Sequence, residues 1–387
     1  MDEAILDGLE ANSDNEGRRI MSPKMCGIVK EIRGPGLVYR TDLPIPQIND
    51  DEVLIKVHVT AVCGSDVHIY DWDEWTARRM NPPTIVGHET AGDVVEVGRN
   101  VTSVKVGDRV SVETHVPCND CFFCRNGMKE ICKNVELFGV TINGAFAEYA
   151  KVRADAVFKL DDEITYEMAC MFEPMGAGVH GVEAAQVDGK TVLISGCGPI
   201  GLTAITAAKV FGAVKVIACD LLDEKLKIAK EMGADVILNS GSCDLVEEVK
   251  RLTDGLGADA AIDITGAGPA IANSLRSVRA GGRMVCVGLP SHEVSLDLTE
   301  DLIYRQVEMT GISGRRIWGT WENFSKVMKD PRYKIERIMG HKFPMKDFEQ
   351  AFQEIRSGVP GKMLLYPWAF SELTKTDDFM MNIPISK

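Results

Sequence analysis

Long apolar runs, a net positive charge and a basic start are all missing from this 387-residue chain. The nearest approach to a membrane span, Val192 to Ala208, is broken by Gly196, Gly198, Pro199 and Gly201, whereas a spanning helix needs about 20 consecutive apolar residues. A transmembrane helix is therefore excluded. Lysine and arginine number 43 against 57 acidic residues, a formal net charge of -14, which repels phosphate backbones and anionic lipid. Nucleic-acid and membrane-surface partners are disfavoured. The opening residues include Asp2, Glu3, Asp7 and Glu10 rather than the basic stretch of a secretory signal, so a cytoplasmic location is expected. Internal repeats and low-complexity tracts are absent as well. The 11 cysteines are not spread as a disulfide framework, because four of them fall between Cys118 and Cys132. Such a cluster asks for a metal.

With 45% apolar and 26% charged residues the chain has the balance of a soluble globular protein, and its length suits two domains that share a cleft. Residues 1–24 are polar, acidic and aperiodic, and are expected to form a disordered extension. From Lys30 to about Val152, short β-type runs (Val53 to Val59, Val94 to Val97, Arg109 to Val112, Ala147 to Val152) are punctuated by Gly, Pro and Asp, which predicts a β-rich lobe. From about Lys190 strands and helices alternate: strands at Thr191 to Ser195, Lys215 to Cys219, Val236 to Leu238, Ala260 to Ile264, Met284 to Val287 and Met309 to Ile312, with helices at Pro199 to Phe211 and Asp223 to Met232. That alternation predicts an α/β, doubly wound parallel sheet. Gly361 to Tyr366 reads as a last strand that returns to the first lobe. The apolar side chains beyond Trp368 have no legible role.

Gly196-Cys-Gly198-Pro-Ile-Gly201 follows a predicted strand and opens a predicted helix, the setting in which glycines admit a pyrophosphate to a helix N-terminus. Asp220 follows at the end of the next strand, where a carboxylate holds ribose hydroxyls and repels a 2′-phosphate. NAD is the expected cofactor. Cys118, Cys121, Cys124 and Cys132 can close a tetrahedron of thiolates around one Zn²⁺ with no open position, the pattern of a structural site. A second set, Cys63, His88, Glu89 and Glu173, offers a thiolate, an imidazole and carboxylates with a position left free, the ligand count of a catalytic zinc. Each of these alone is more often packing than ligation.

Gly87-His-Glu-Thr-Ala-Gly92, with Gly98 beyond it, resembles the zinc signature of medium-chain alcohol dehydrogenases, and the cysteine loop and glycine motif follow in that family's order. The resemblance covers about Met25 to Pro367. It implies a GroES-like β-rich catalytic domain over 25–180, completed by 316–367, a Rossmann domain over 181–315, and a tail over 368–387. Three segments, Cys63 to Trp75, Val112 to His115 and Gly314 to Trp321, resemble the branch of the family that oxidises L-threonine. By this resemblance Cys63, His88 and Glu89 hold a catalytic zinc, and Cys118, Cys121, Cys124 and Cys132 a structural one. Ser65 and His68 would relay the proton, and Glu173 would stand beside the metal, linked to that relay and exchanging with Glu89. Gly196, Gly198, Ile200, Gly201, Asp220, Lys225, Val287, Gly288, Leu289, Ile312 and Ser313 would contact NAD. Three positions depart from the family's pattern: Ala177 replaces the common Asn, Ser65 stands where Thr is commoner, and Lys225 stands where Arg also occurs. Members are usually homotetramers. His115 either borders the substrate or is satisfied within its strand, Arg315 or Arg316 is a candidate partner for a substrate carboxylate, and the tryptophans at 72, 75, 318 and 321 are expected to pack. Polyol and sugar dehydrogenases share the zinc and cofactor parts, so they remain the rival enzyme reading; a non-catalytic NAD-binding redox sensor is the rival from another class.

Overall fold

The computed structural model describes residues 23–368, so residues 1–22 of the expected extension over 1–24 and the tail beyond Trp368 lie outside the described residues, while Lys24 belongs to the first strand rather than to an extension. The first half of the chain forms β1 (Lys24–Lys30), β2 (Val38–Pro44), β3 (Glu52–Ala61), α1 (Gly64–Asp71), α2 (Glu74–Ala77), β4 (Thr84–Ile85), β5 (Glu89–Val97) and β6 (Arg109–Val112). It continues through β7 (His115–Val116), α3 (Phe122–Arg125), β8 (Glu136–Leu137), β9 (Tyr149–Arg153), β10 (Val157–Lys159), α4 (Tyr166–Cys170) and α5 (Phe172–Ala185). Val53, Ile55, Val57 and Val59 recur at every second position of β3 and are all buried, the period that sends one face of a strand inward. β3 pairs antiparallel with both β5 and β9.

The second half supplies β11 (Thr191–Ser195), α6 (Pro199–Val210), β12 (Lys215–Asp220), α7 (Asp223–Glu231), β13 (Val236–Asn239), α8 (Leu245–Arg251), β14 (Ala258–Asp263), α9 (Gly268–Ser277), β15 (Val278–Cys286) and β16 (Glu308–Gly311). Every pairing here is parallel, in the order β13-β12-β11-β14-β15-β16. The strand order reverses between β11 and β14, so a crevice opens at the carboxyl ends of those strands. The chain then returns through α10 (Gly319–Met328), β17 (Met339–Pro344), α11 (Phe348–Arg356) and β18 (Lys362–Tyr366). β18 lies antiparallel to β3, joining the last strand to the first lobe as its sequence suggested. The fold is a GroES-like β lobe beside a six-stranded Rossmann sheet. Among the described residues no helix is long and apolar enough to cross a membrane.

One large apolar core unites the lobes: Val59, Ala61 and Ala91 of the β lobe pack with Val179 and Val182 of α5, Ile194 of β11 and Ile205 of α6. α5 was not legible beforehand. It is buried nearly all round, so it lacks the one-sided apolar stripe by which a surface helix shows itself in sequence.

Candidate active site

The first side-chain set is assembled by strand register. Ala61 at the end of β3 pairs with Glu89 at the start of β5 on one side and with Leu364 of β18 on the other. Cys63 and His88, just beyond these ends, and Lys362, the first residue of β18, therefore converge. The Thr60 hydroxyl donates to the Glu89 carbonyl at 2.8 Å and the Thr90 hydroxyl to the Val59 carbonyl at 3.1 Å, pinning the alignment. One ligand atom each from Cys63, His88 and Glu89 lies within 4.8 Å of the others.

Cys63 is the N-cap of α1, and its N–H donates to Asp66 Oδ2 at 2.8 Å. Asp66 is wholly buried; its other oxygen, Oδ1, and the His88 Nδ1 face each other at 3.7 Å, and neither has a hydrogen-bond partner. That pair gives His88 a carboxylate at its back, as in a carboxylate, histidine and zinc arrangement. Ser65 Oγ sits 3.4 Å from His88 Nε2. Glu89 accepts a 2.6 Å hydrogen bond from the largely buried Lys362 ammonium. Burial opposes the charge on Lys362, but Glu89 and its neighbours outweigh that and hold the ammonium well above its ordinary range. A thiol, an imidazole and a carboxylate within ligand reach of one another fit a zinc site that leaves a position for substrate.

Glu173, in the first turn of α5, accepts from the Thr114 hydroxyl at 2.6 Å and pairs with Arg315 at 2.7 Å. The structure thus places it against a cation rather than within the Cys63, His88 and Glu89 set. Arg315 also donates from Nε to Glu113 at 2.8 Å and from Nη1 to the Glu173 carbonyl at 2.7 Å. The donors of Arg315 are consumed inside the protein, against the expectation that it meets a substrate carboxylate, whereas Arg316 is half exposed and gives Nη2 to Glu183 at 2.8 Å. His115 Nδ1 lies 2.7 Å from Glu113, satisfied within its own turn. His68 is exposed on α1, with Nδ1 2.8 Å from Asp73, while the Ser65 hydroxyl faces His88. Trp321 is buried and donates to Glu113, and Trp318 packs edge-on against it, as expected of core aromatics.

The four-cysteine loop runs on either side of α3, with left-handed turns at Asn119 (φ 59°) and Gly127 (φ 77°). Sulfur separations of 3.5 Å (Cys121 to Cys124), 3.8 Å (Cys121 to Cys132) and 3.5 Å (Cys118 to Cys132) approach the edge, about 3.8 Å, of a tetrahedron built on Zn–S bonds of about 2.3 Å. Backbone N–H groups point at the sulfurs, and that of Cys124 brings the Cys121 thiol down to about 6. None of the described cysteines is disulfide-bonded. The donor set fits zinc.

In the second lobe Gly196 has φ 99°, and a Cβ on Gly201 would lie 1.8 Å from the Gly196 carbonyl, so both positions require glycine. A Cβ on Gly198 would meet nothing within 4 Å; it faces the open space a pyrophosphate would fill. Asp220, at the end of β12, accepts the Cys197 N–H at 2.8 Å and borders a cavity of about 330 Å³ with Ser195, Leu221, Ser240, Thr265 and Asn273. Ile200 lies in the first turn of α6, Lys225 lies on α7, and Val287 to Leu289 and Ile312 to Ser313 follow β15 and β16. Two loops meet tightly there, since a Cβ on Gly288 would lie 2.2 Å from the Gly266 nitrogen. All these positions gather at the carboxyl end of the sheet.

Sequence reasoning missed Asp66, Lys362 and Glu113. The Cys63 and Asp66 spacing of a capping box could have revealed the first; the others arrive through pairings hundreds of residues long.

Residues 49–162 match the family model described as alcohol dehydrogenase GroES-like domain, and residues 199–330 the one described as zinc-binding dehydrogenase. The chain belongs to the zinc-binding medium-chain alcohol dehydrogenase family. As such it carries a four-cysteine structural site and a Cys/His/Glu catalytic site. It is 40% identical to the L-threonine 3-dehydrogenase of Bacillus subtilis over 348 residues, 90% of this chain and all of that one, and 41% identical to that of Pyrococcus horikoshii over 345 residues, 89% of this chain and 99% of that one. Among solved structures it resembles galactitol-1-phosphate dehydrogenase from Escherichia coli (TM-score 0.81, 27% identity) and 2R,3R-butanediol dehydrogenase from Bacillus subtilis (TM-score 0.79, 28% identity), covering 89% of this chain and all of each.

Proposed function

We propose that this enzyme oxidises the secondary hydroxyl of L-threonine with NAD⁺, yielding 2-amino-3-oxobutanoate, NADH and a proton. Support for the substrate comes from the threonine enzymes, 40–41% identical over nine-tenths of the chain, against 27–28% for the butanediol and galactitol-phosphate enzymes. The observation that carries the chemistry is the convergence of Cys63, His88 and Glu89 at one set of strand ends. Zinc held by these three supplies Lewis acidity, which lets an alcohol lose its proton near neutral pH.

The chain's own residues do the rest. Asp66 orients His88 from behind, and Lys362 restrains Glu89. Glu173, held by Arg315 and Thr114, is the second carboxylate beside the set and would be the one to exchange with Glu89 as a zinc ligand. Ser65 accepts the substrate proton as its own hydroxyl proton leaves toward His68, and His68, paired with Asp73, releases a proton to solvent, a role suited to imidazole. Gly196, Gly198 and Gly201 open the pyrophosphate path onto the N-terminus of α6, and Asp220 holds the ribose and disfavours a 2′-phosphate. Ile200, Lys225, Val287, Gly288, Leu289, Ile312 and Ser313 line the remainder of the cofactor path.

The test is kcat/KM for L-threonine, butane-2,3-diol, sorbitol and glucose, each with NAD⁺ and NADP⁺. L-Threonine with NAD⁺ should lead by at least about 10-fold, equivalent to 1.4 kcal/mol of transition-state preference. A polyol in first place would replace the threonine reading by the polyol one.

A further inference from the structure

Lys30, the last residue of β1, is a fully buried lysine that belongs to no ligand set. Its ammonium donates to the carbonyls of Gly34 at 2.5 Å, Gly36 at 3.0 Å and Tyr70 at 3.3 Å, and lies 5.2 Å from the centre of the Trp72 ring. Burial lowers it to about 8 against the pull of Asp71, which leaves it charged at neutral pH. Tyr70 is in the last turn of α1, where a cation is favoured by the helix dipole. Trp72 caps that helix in the left-handed region (φ 58°, ψ 51°), a conformation uncommon for a bulky side chain and held by its surroundings. Asp73 comes next. One of its oxygens caps α2 through the Thr76 N–H at 2.9 Å, and the other holds His68 Nδ1 at 2.8 Å. The far end of the same helix begins at Cys63 and carries Ser65 and Asp66. α1 is thus a short rod with the metal set at one end and the Lys30 clamp at the other.

We propose that Lys30 is a positioning residue for the reaction: its ammonium fixes the turn at Trp72 and thereby keeps Asp73 against the His68 imidazole. This rests on the reading of His68 as the group that passes the proton to solvent. Lys30 touches neither substrate nor cofactor in this account; it acts through the backbone of α1 and the side chain of Asp73.

The experiment compares Lys30→Met, Lys30→Arg, Asp73→Asn and the Lys30→Met/Asp73→Asn double variant in the full-length, zinc-loaded enzyme, with His68→Asn alongside. Read-outs are zinc per chain, kcat and KM for L-threonine, and the pH profile of kcat. Lys30→Met is expected to keep its zinc and its KM within about twofold while kcat falls about 10-fold, the scale of a modest misplacement of a reacting group. Its pH profile should change in the same way as that of Asp73→Asn, the double variant should be little worse than Asp73→Asn alone because the two act in series, and Lys30→Arg should recover most of the loss. Should Lys30→Met fail to fold, Lys30→Gln is read by the same profile. A wild-type pH profile in the Lys30 variants, with Asp73→Asn and His68→Asn both altered, overturns the inference and leaves the proton path standing. Unaltered profiles in His68→Asn and Asp73→Asn overturn both.

Discussion

Arg315 shows how single side chains set the geometry of this site. It reaches from the loop after β16 to Glu113 and Glu173 of the other lobe and is itself almost wholly buried. Burial alone would raise the Glu113 carboxyl, but Arg315 and His115 outweigh it and hold the group well below the usual carboxylate range. Removing one partner of such a cluster leaves uncompensated buried charge, so Arg315→Met should cost about 3–5 kcal/mol, read as a lower denaturation midpoint at unchanged m. A loss within about 0.5 kcal/mol, the level of an ordinary surface change, would show the cluster to be ornamental. The same pairing fixes a pH dependence. A depressed folded-state carboxyl contributes stability that is present above its unfolded value of 4.5 and is lost as pH falls toward its folded value. Glu113→Gln should therefore start less stable at neutral pH and lose less than the parent on acidification below about pH 4.5. Parallel curves for the two proteins would contradict this.

Two elements, the glycine turn between β11 and α6 and the cysteine loop around α3, separate folding from binding. Gly201→Ala would drive a methyl into the Gly196 carbonyl and should destabilise the fold, whereas Gly198→Ala has open space for its methyl and should fold normally while binding NAD⁺ more weakly. Thermal unfolding and cofactor titration of the two variants check the contrast; equal effects on both quantities would refute it. For the cysteine loop, Cys124→Ser should lower the zinc content from two ions per chain to one. Structural zinc is worth about 10–16 kcal/mol in small peptides, comparable with the whole stability of a domain, so the lobe should unfold far more readily. Retention of both ions, measured by elemental analysis, would remove the loop's assignment. These turns were the most legible parts of the sequence because their chemistry is local: Gly196, Gly198 and Gly201 sit in one turn, and the four cysteines in one loop. α1 was hidden because its eight residues carry both site chemistry and a weak apolar pattern, and α5 because almost every face of it is covered.

Across the whole molecule the two lobes share one apolar core. Their shared core, with α5 at its centre, and the Arg315 cluster tie the strand ends bearing Cys63, His88 and Glu89 to the carboxyl end of the Rossmann sheet. The sheet and its strands could be read from the alternation of apolar runs and helices, down to the bounds of Thr191–Ser195. What could not be read were contacts that only the closed fold creates, such as Lys362 beside Glu89 and Glu113 beside Arg315, since no spacing in the chain encodes them. The most direct measurement of the central claim is the initial rate of NADH formation from L-threonine by the zinc-loaded protein, repeated after chelation and after zinc is restored. The account predicts a threonine-dependent rate that disappears with the metal and returns with it. No rate in the zinc-loaded protein, or a rate that persists in the metal-free one, would contradict it.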